Sequence, residues 1–238
     1  MLLYVDSNVA SPYALVAYVG LLEKGLTFDI KPLEIFANAQ KESTFASTSI
    51  TRRVPTLIHD HFALSESSAI CEYIDESFDG TALYPIGLRD RARARQVQAW
   101  VRSDLMPIRD ERPTFVVFCG ARRPALSAQA TEATHKLFAA ALQLLEGRTE
   151  YLFGDWSIAD VDLAMMLQRL VAHGDPVPQK LVDYANHQWR RPSVQRWISH
   201  PTSPHRVLIG DRQSAASNPC DEDPDEAHLS RALAQAVI

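Results

Sequence analysis

Ser11, followed directly by Pro12, is the first residue in the chain whose type and setting suit chemistry. Serine is favoured at the N-cap of a helix and proline at the first helical position. A serine hydroxyl has one proton to donate and two acceptor sites, so a capping serine can take a first-turn amide and still donate to an anion. Ser7 and Asn8 are alternatives on the same loop. Glu66-Ser67 places a carboxylate and a hydroxyl at the head of another helix, where Ser65 or Ser67 would cap it and where the unpaired amides attract negative charge. Arg52 and Arg53 precede Val54-Pro55, an X-Pro bond, the only common kind with an accessible cis form. Trp100, Asp104, Met106 and Arg109 recur at near-helical spacing, a stripe that serves a core, an interface or a pocket. His59 and His61 flank a tight turn and have no third ligand nearby, so they predict an exposed hairpin and no metal.

The elements that must carry these residues alternate over the first eighty positions. LLYV predicts a strand, residues 12–24 a helix stopped by Gly25, and TFDIKPL a second strand, together one βαβ unit. After an irregular polar stretch, VPTLIHD and HFAL predict two short strands and residues 67–78 a helix. Tyr4 sits in the first strand as a core or strand residue. Residues 1–80 thus form a small α/β domain, and residues 81–88, with two glycines and a proline in FDGTALYPIGL, a linker.

From residue 89 to 201 everything predicts helix. RARARQVQAWVRSDLMPIRDERPTFVVF is expected as one long helix kinked at Pro107. THKLFAAALQLLEG and WSIADVDLAMMLQRLVAHG follow, ending at Gly147 and Gly174, and VPQKLVDYANHQWRRPSVQRWIS supplies one or two more. Ser157 with Asp160 makes a capping box, and Trp156 is placed to pack on Val161 as a staple. Residues 202–238 are rich in Ser, Pro and Asp and are expected as a mobile tail.

Bulk properties narrow the function. The chain has 238 residues, is 46% apolar and carries a net charge of −5, which argues against general nucleic-acid binding although Arg89, Arg91, Arg93, Arg95 and Arg102 cluster locally. No window suits a membrane span and the start lacks a signal-peptide pattern, so a cytoplasmic location is expected. Cys71, Cys119 and Cys220 form no C-x-x-C pair and are expected as reduced thiols.

Ser11-Pro12-Tyr13 after the first strand, Arg53-Val54-Pro55 before the third, Glu66-Ser67 at the third helix and Ser157-x-x-Asp160 among the later helices occur in one order. This ordered set resembles the cytosolic glutathione S-transferase superfamily, serine-type, over about residues 1 to 200. RRVPTL, LSESSAI, RARARQVQAW and RSDLMPIR look like its YfcF-type bacterial branch. The resemblance implies an α/β plus all-α fold: a thioredoxin-like N-terminal domain that binds glutathione and a helical-bundle C-terminal domain. It also implies a homodimer and a hydrophobic acceptor site beside the helical domain.

Residue roles follow from the same resemblance. Glu66 would pair with the γ-glutamyl ammonium, Ser67 would receive the γ-glutamyl carboxylate, and the backbone beside a cis Val54-Pro55 bond would pair with the cysteinyl backbone. Arg53 could reach the glycyl carboxylate, with Arg52 as an equally basic neighbour. Trp100, Asp104 and Arg109 are candidates for the acceptor site. Phe115 and Phe118 are similarly ambiguous. Ser11 would stabilise the thiolate, with Ser7 in reserve. Lowering a thiol pKa from about 8.5 by about two units takes about 2.7 kcal/mol. One hydrogen bond to a charged group supplies about 1.5–3 kcal/mol and a helix N-terminus about 0.3–1 kcal/mol, so a single hydroxyl there is sufficient. Serine in place of a cysteine excludes a mixed disulfide at residue 11. Conjugation to a small electrophile or reduction of a peroxide through activated glutathione are the reactions implied, with a non-catalytic binding module as the alternative.

Overall fold

The structure is a computed structural model describing residues 1–35 and 37–201. The tail expected at residues 202–238 lies outside the described residues. The described residues divide into two compact units, residues 1–81 with 196–201, and Ala82–Gln195.

In the first unit, β1 (Leu2–Asp6), α1 (Pro12–Glu23) and β2 (Asp29–Leu33) form the βαβ unit, with β1 and β2 parallel. α2 (Ser43–Ala46) follows, then the hairpin β3 (Thr56–His59) and β4 (Phe62–Ser65) and the helix α3 (Ser67–Ser77). Sheet order is β2-β1-β3-β4, with β3 antiparallel to both neighbours. Pro32 lies in β2, an edge strand, where a missing amide costs no ladder bond on the open side. α1 is apolar almost all round and residues 14–21 are all buried, as a helix sandwiched in a core should be. Leu3, Val5, Leu15, Leu57, Ile70 and Ile74 join it in the core, each contributing about 1.5–3 kcal/mol by burial. α1 ends at a Lys24 C-cap, and Gly25 takes φ 70°, a left-handed conformation that glycine adopts without a Cβ clash.

Register fixes what lies at one end of this sheet. Tyr4 of β1 pairs with Thr56 of β3, and Thr56 with Ser65 of β4. The loop leaving β1, the chain entering β3 and the chain leaving β4 therefore emerge from the same end.

The second unit contains α4 (Leu88–Ser103), α5 (Met106–Glu111), α6 (Thr114–Cys119), α7 (Ala128–Leu144), α8 (Ile158–Val171) and α9 (Gln179–Trp189). The division between the units falls inside α10 (Pro192–Ile198). The single kinked helix expected around Pro107 is instead three helices. Leu105 leaves helical geometry at φ −98°, ψ 33°, Pro107 starts a new helix where its missing amide is harmless, and Arg112, preceding Pro113, is pushed to φ −127°, ψ 67°. α7 begins earlier than its apolar run suggested, because Ser127 caps it by accepting the Ala130 amide at 3.2 Å.

α8 is buried along nearly its whole length. The capping box forms at its start, and the Asp160 carboxylate takes the Ser157 amide at 2.8 Å and its hydroxyl at 3.0 Å. It also takes the Leu152 amide at 2.9 Å and the Tyr184 hydroxyl at 2.9 Å. Trp156 lies under the Arg191 guanidinium, 4.0 Å from the ring centroid. Residues 81–88 are anchored: Leu83 and Tyr84 are buried, the Leu83 carbonyl accepts the Ile158 amide at 2.9 Å, and the Tyr84 hydroxyl donates to Gln98 at 2.9 Å. Cys71 is a free buried thiol. Among the described residues no helix is long and apolar enough to cross a membrane.

Candidate functional site

The loop between β1 and α1 is held from beneath by Asp6. One carboxylate oxygen accepts the Ala10 amide at 2.8 Å and the other the Ser11 amide at 2.9 Å. Val9 sits at φ 52°, a left-handed conformation costly for a β-branched residue, and its side chain is buried. Asp6 itself is buried, and desolvation raises its pKa against the opposing pull of the amides of Ala10, Ser11 and Asp6 itself.

This loop delivers Ser11 as the N-cap of α1, with Pro12 at the first turn and the hydroxyl accepting the Ala14 amide at 3.3 Å. Ser11 is buried, and among the described residues its hydroxyl proton meets no acceptor. Ser7 differs. Its hydroxyl donates to Glu34 at 2.9 Å, so its single proton is committed. Tyr4 packs edge-on against Phe45 with ring centroids 5.1 Å apart, a packing role as expected.

The chain entering β3 carries the second piece. Val54-Pro55 is cis. The Val54 side chain is buried with Ile35 and Phe45, while among the described residues neither its N–H nor its C=O is hydrogen-bonded. Those two groups can pair with an extended ligand backbone as an added strand would. Arg53 and Arg52 are no longer equivalent. Arg53 is half-buried and its Nη1 is enclosed without a partner, whereas Arg52 is exposed.

The chain leaving β4 carries the third. Glu66 takes φ 72°, ψ 114°, and α3 begins at Ser67 without a side-chain cap, so neither Ser65 nor Ser67 serves as the plain cap weighed above. Ser67 is 2% exposed and its Oγ has no hydrogen-bond partner. An enclosed, unpaired hydroxyl beside uncapped helix amides can receive a carboxylate. The Glu66 carboxylate is exposed at the same point, where it can meet an ammonium.

Ser11, Val54 and Ser67 thus stand at the ends of elements that leave one end of the sheet, each with a polar group left open. Asp6, which holds this loop, is the residue the sequence reading missed. An acid ending a strand, four and five residues before two amides it can accept, is the signal that was available.

The acceptor trio divides. Trp100 Nε1 donates to Asp104 at 2.8 Å and Lys136 also pairs with Asp104, which lowers that exposed carboxyl's pKa first through Lys136 and then through Trp100. Arg109 turns instead to the Arg102 carbonyl and the Met106 sulfur. A cleft of about 520 Å³ runs between α4 and α7, lined by Arg89, Arg93, Trp100, Lys136, Arg148 and Phe153 among others. Neither Asp104 nor Arg109 lines it. Phe118 is core, against Trp189. His59 pairs with the Tyr73 hydroxyl at 2.7 Å, and among the described residues no group of His, Cys, Asp and Glu could hold a metal.

Comparison with known proteins gives the family. Residues 10–77 match the family described as glutathione S-transferase, N-terminal domain, and residues 87–202 that described as glutathione S-transferase, C-terminal domain. The crystal structure of a glutathione transferase homolog from Burkholderia gl BGR1, with bound glutathione, is 46% identical, with 83% of this chain and 95% of that chain covered and a TM-score of 0.69. Glutathione S-transferase U15 of Arabidopsis thaliana is 27% identical over 79% of each chain. U28 of the same plant is 36% identical over a shorter match, 36% of this chain and 38% of its own. With both units matched in order, the chain belongs to the glutathione S-transferase superfamily, transferases that use glutathione as co-substrate and pair a thioredoxin-like first domain with a helical second one.

Proposed function

We propose that this protein conjugates the glutathione thiolate to small electrophilic, hydrophobic substrates, with Ser11 as the residue that stabilises the thiolate. The observation that carries the reading is the Ser11 hydroxyl: buried at a helix N-cap, accepting from Ala14, with its own proton free.

In this reading the γ-glutamyl carboxylate meets the Ser67 hydroxyl and the first-turn amides of α3, and Glu66 takes the ammonium. Val54 pairs with the cysteinyl backbone beside Pro55, and Arg53 Nη1 takes the glycyl carboxylate. The sulfur then lies at the start of α1. The thiol gives its proton to solvent, the Ser11 hydroxyl and the helix terminus hold the thiolate, and sulfur attacks the electrophilic carbon while the leaving group departs with its bonding pair. The same thiolate can attack a peroxide oxygen; a second glutathione then completes the reduction as the disulfide. Trp100 is the one member of the acceptor trio on a cleft and is kept as an acceptor contact; Asp104 supports it by accepting its indole N–H, and Arg109 drops out of the trio. A homodimer in the cytoplasm belongs to the same reading, and sedimentation would show the dimer.

The test is conjugation of a chlorodinitrobenzene-type substrate and reduction of an organic peroxide by wild type and Ser11→Ala. Loss of a hydrogen bond to the thiolate, about 1.5–3 kcal/mol, predicts a fall of about 10- to 150-fold in kcat/KM for Ser11→Ala. A folded wild type that binds no glutathione by calorimetry, or binds it without turnover in either assay, sinks the catalytic reading and favours a binding module.

A further inference from the structure

We infer that Asp6 is a positioning residue for the thiolate-holding hydroxyl: its carboxylate takes the Ala10 and Ser11 amides and so leaves the Ser11 proton free for the ligand sulfur. The inference rests on the role proposed for Ser11.

Each Asp6 oxygen has one task, Oδ2 on the Ala10 amide at 2.8 Å and Oδ1 on the Ser11 amide at 2.9 Å. Both donors are in buried residues, and a buried amide without a partner is rare because it forfeits its hydration for nothing. If Asp6 were absent, the loop would have to turn these amides elsewhere. Ser11 sits on one of them, and Val9 at φ 52° shows that the loop holds its shape only because its surroundings over-determine it. The Ser11 hydroxyl would move with the backbone that carries it.

Asp6 cannot help the thiolate through its charge. A carboxylate beside the sulfur site repels a second anion and raises the thiol pKa. Among the described residues no ion pair involves Asp6, and its carboxylate is bonded by backbone amides. A field effect and a positioning effect therefore predict opposite signs when the charge is removed. Asp6→Asn keeps the size but has one acceptor for two amides, with its NH2 facing the other N–H. If Asp6 works by position, this variant raises the pKa of bound glutathione; if it works by field, the variant lowers it.

The experiment is an ultraviolet absorbance titration of the thiolate of bound glutathione, with kcat/KM, for wild type, Asp6→Asn, Ser11→Ala and the double variant. Expected is a raised thiol pKa and about a tenfold loss of kcat/KM in Asp6→Asn, since displacements near 1 Å cost up to about 100-fold. In the Ser11→Ala background the same substitution changes either quantity by less than about twofold, because the two residues act as one unit. A lowered thiol pKa, no change, or an equal loss in both backgrounds overturns the inference. Circular dichroism checks the fold, and if Asp6→Asn does not fold, Asp6→Ser, whose oxygen can still accept an amide, is read the same way. A wild type that leaves the thiol at its free value overturns the Ser11 role as well, whereas a shifted wild type with an unresponsive Asp6 variant overturns only this inference.

Discussion

At the start of α8, Ser157 and Asp160 close on each other, and the carboxylate ends with four donors: the Leu152 and Ser157 amides and the Ser157 and Tyr184 hydroxyls. At the start of α1, Asp6 takes two amides while the Ser11 hydroxyl only accepts. The same two residue types begin both helices. In the first pair every proton is used and the group is a structural knot. In the second, one buried proton is left over, and an unspent donor at a helix terminus is what an anionic ligand requires.

The largest expected effect breaks the knot. Asp160→Ala leaves four donors without an acceptor and should cost about 3 kcal/mol or more, a fall of about 10 °C in Tm by calorimetry. Next is Ser11→Ala, which separates the two sites: kcat/KM falls as stated above, while loss of the cap costs about 1 kcal/mol of stability. A Tm loss as large as that of Asp160→Ala would mean that Ser11 is structural too. Ser67→Ala should weaken glutathione binding about tenfold or more, the worth of one hydrogen bond to a carboxylate at about 1.5 kcal/mol or above, and leave Tm unchanged because the hydroxyl has no protein partner to lose.

A pH series sharpens the contrast. Burial pushes the Asp160 carboxyl up to about 6, against the hydrogen bonds from the Ser157 and Leu152 backbones and the Tyr184 and Ser157 side chains. Its folded pKa exceeds the ordinary value of 3.8, so between these values the folded state binds more proton than the unfolded one. Stability from this group is therefore full below about pH 4 and declines as pH rises to about 6. The unfolding free energy of Asp160→Asn, followed by denaturant titration over the same range, should lack that decline. A decline of equal slope in the variant contradicts the assignment. The smallest effect is Trp100→Ala, expected to change KM for the electrophile about twofold to fivefold and KM for glutathione not at all.

Much of this was legible in the sequence where the signal is local. Strand alternation in LLYV and VPTLIHD, the Ser11-Pro12 start of α1 and the Ser157-x-x-Asp160 box each arise from contacts a few residues apart. What was not legible depends on partners distant in sequence or on how a break is resolved. The partner of the Ser7 hydroxyl is Glu34, across the βαβ unit. The chain breaks at Leu105 rather than kinking at Pro107, and Arg109, in the new helix, bonds the Arg102 carbonyl and the Met106 sulfur instead of Trp100 or Asp104. Arg53 separates from Arg52 only through its buried Nη1, and no pattern of types shows burial.

The central claim is that Ser11 holds the sulfur as thiolate, and titrating the thiolate absorbance of bound glutathione tests it directly. The account predicts an apparent thiol pKa of about 6.5 with wild type, returning toward about 8.5 with Ser11→Ala and unmoved by Ser7→Ala. A pKa that stays low in Ser11→Ala, or that rises only in Ser7→Ala, would contradict it.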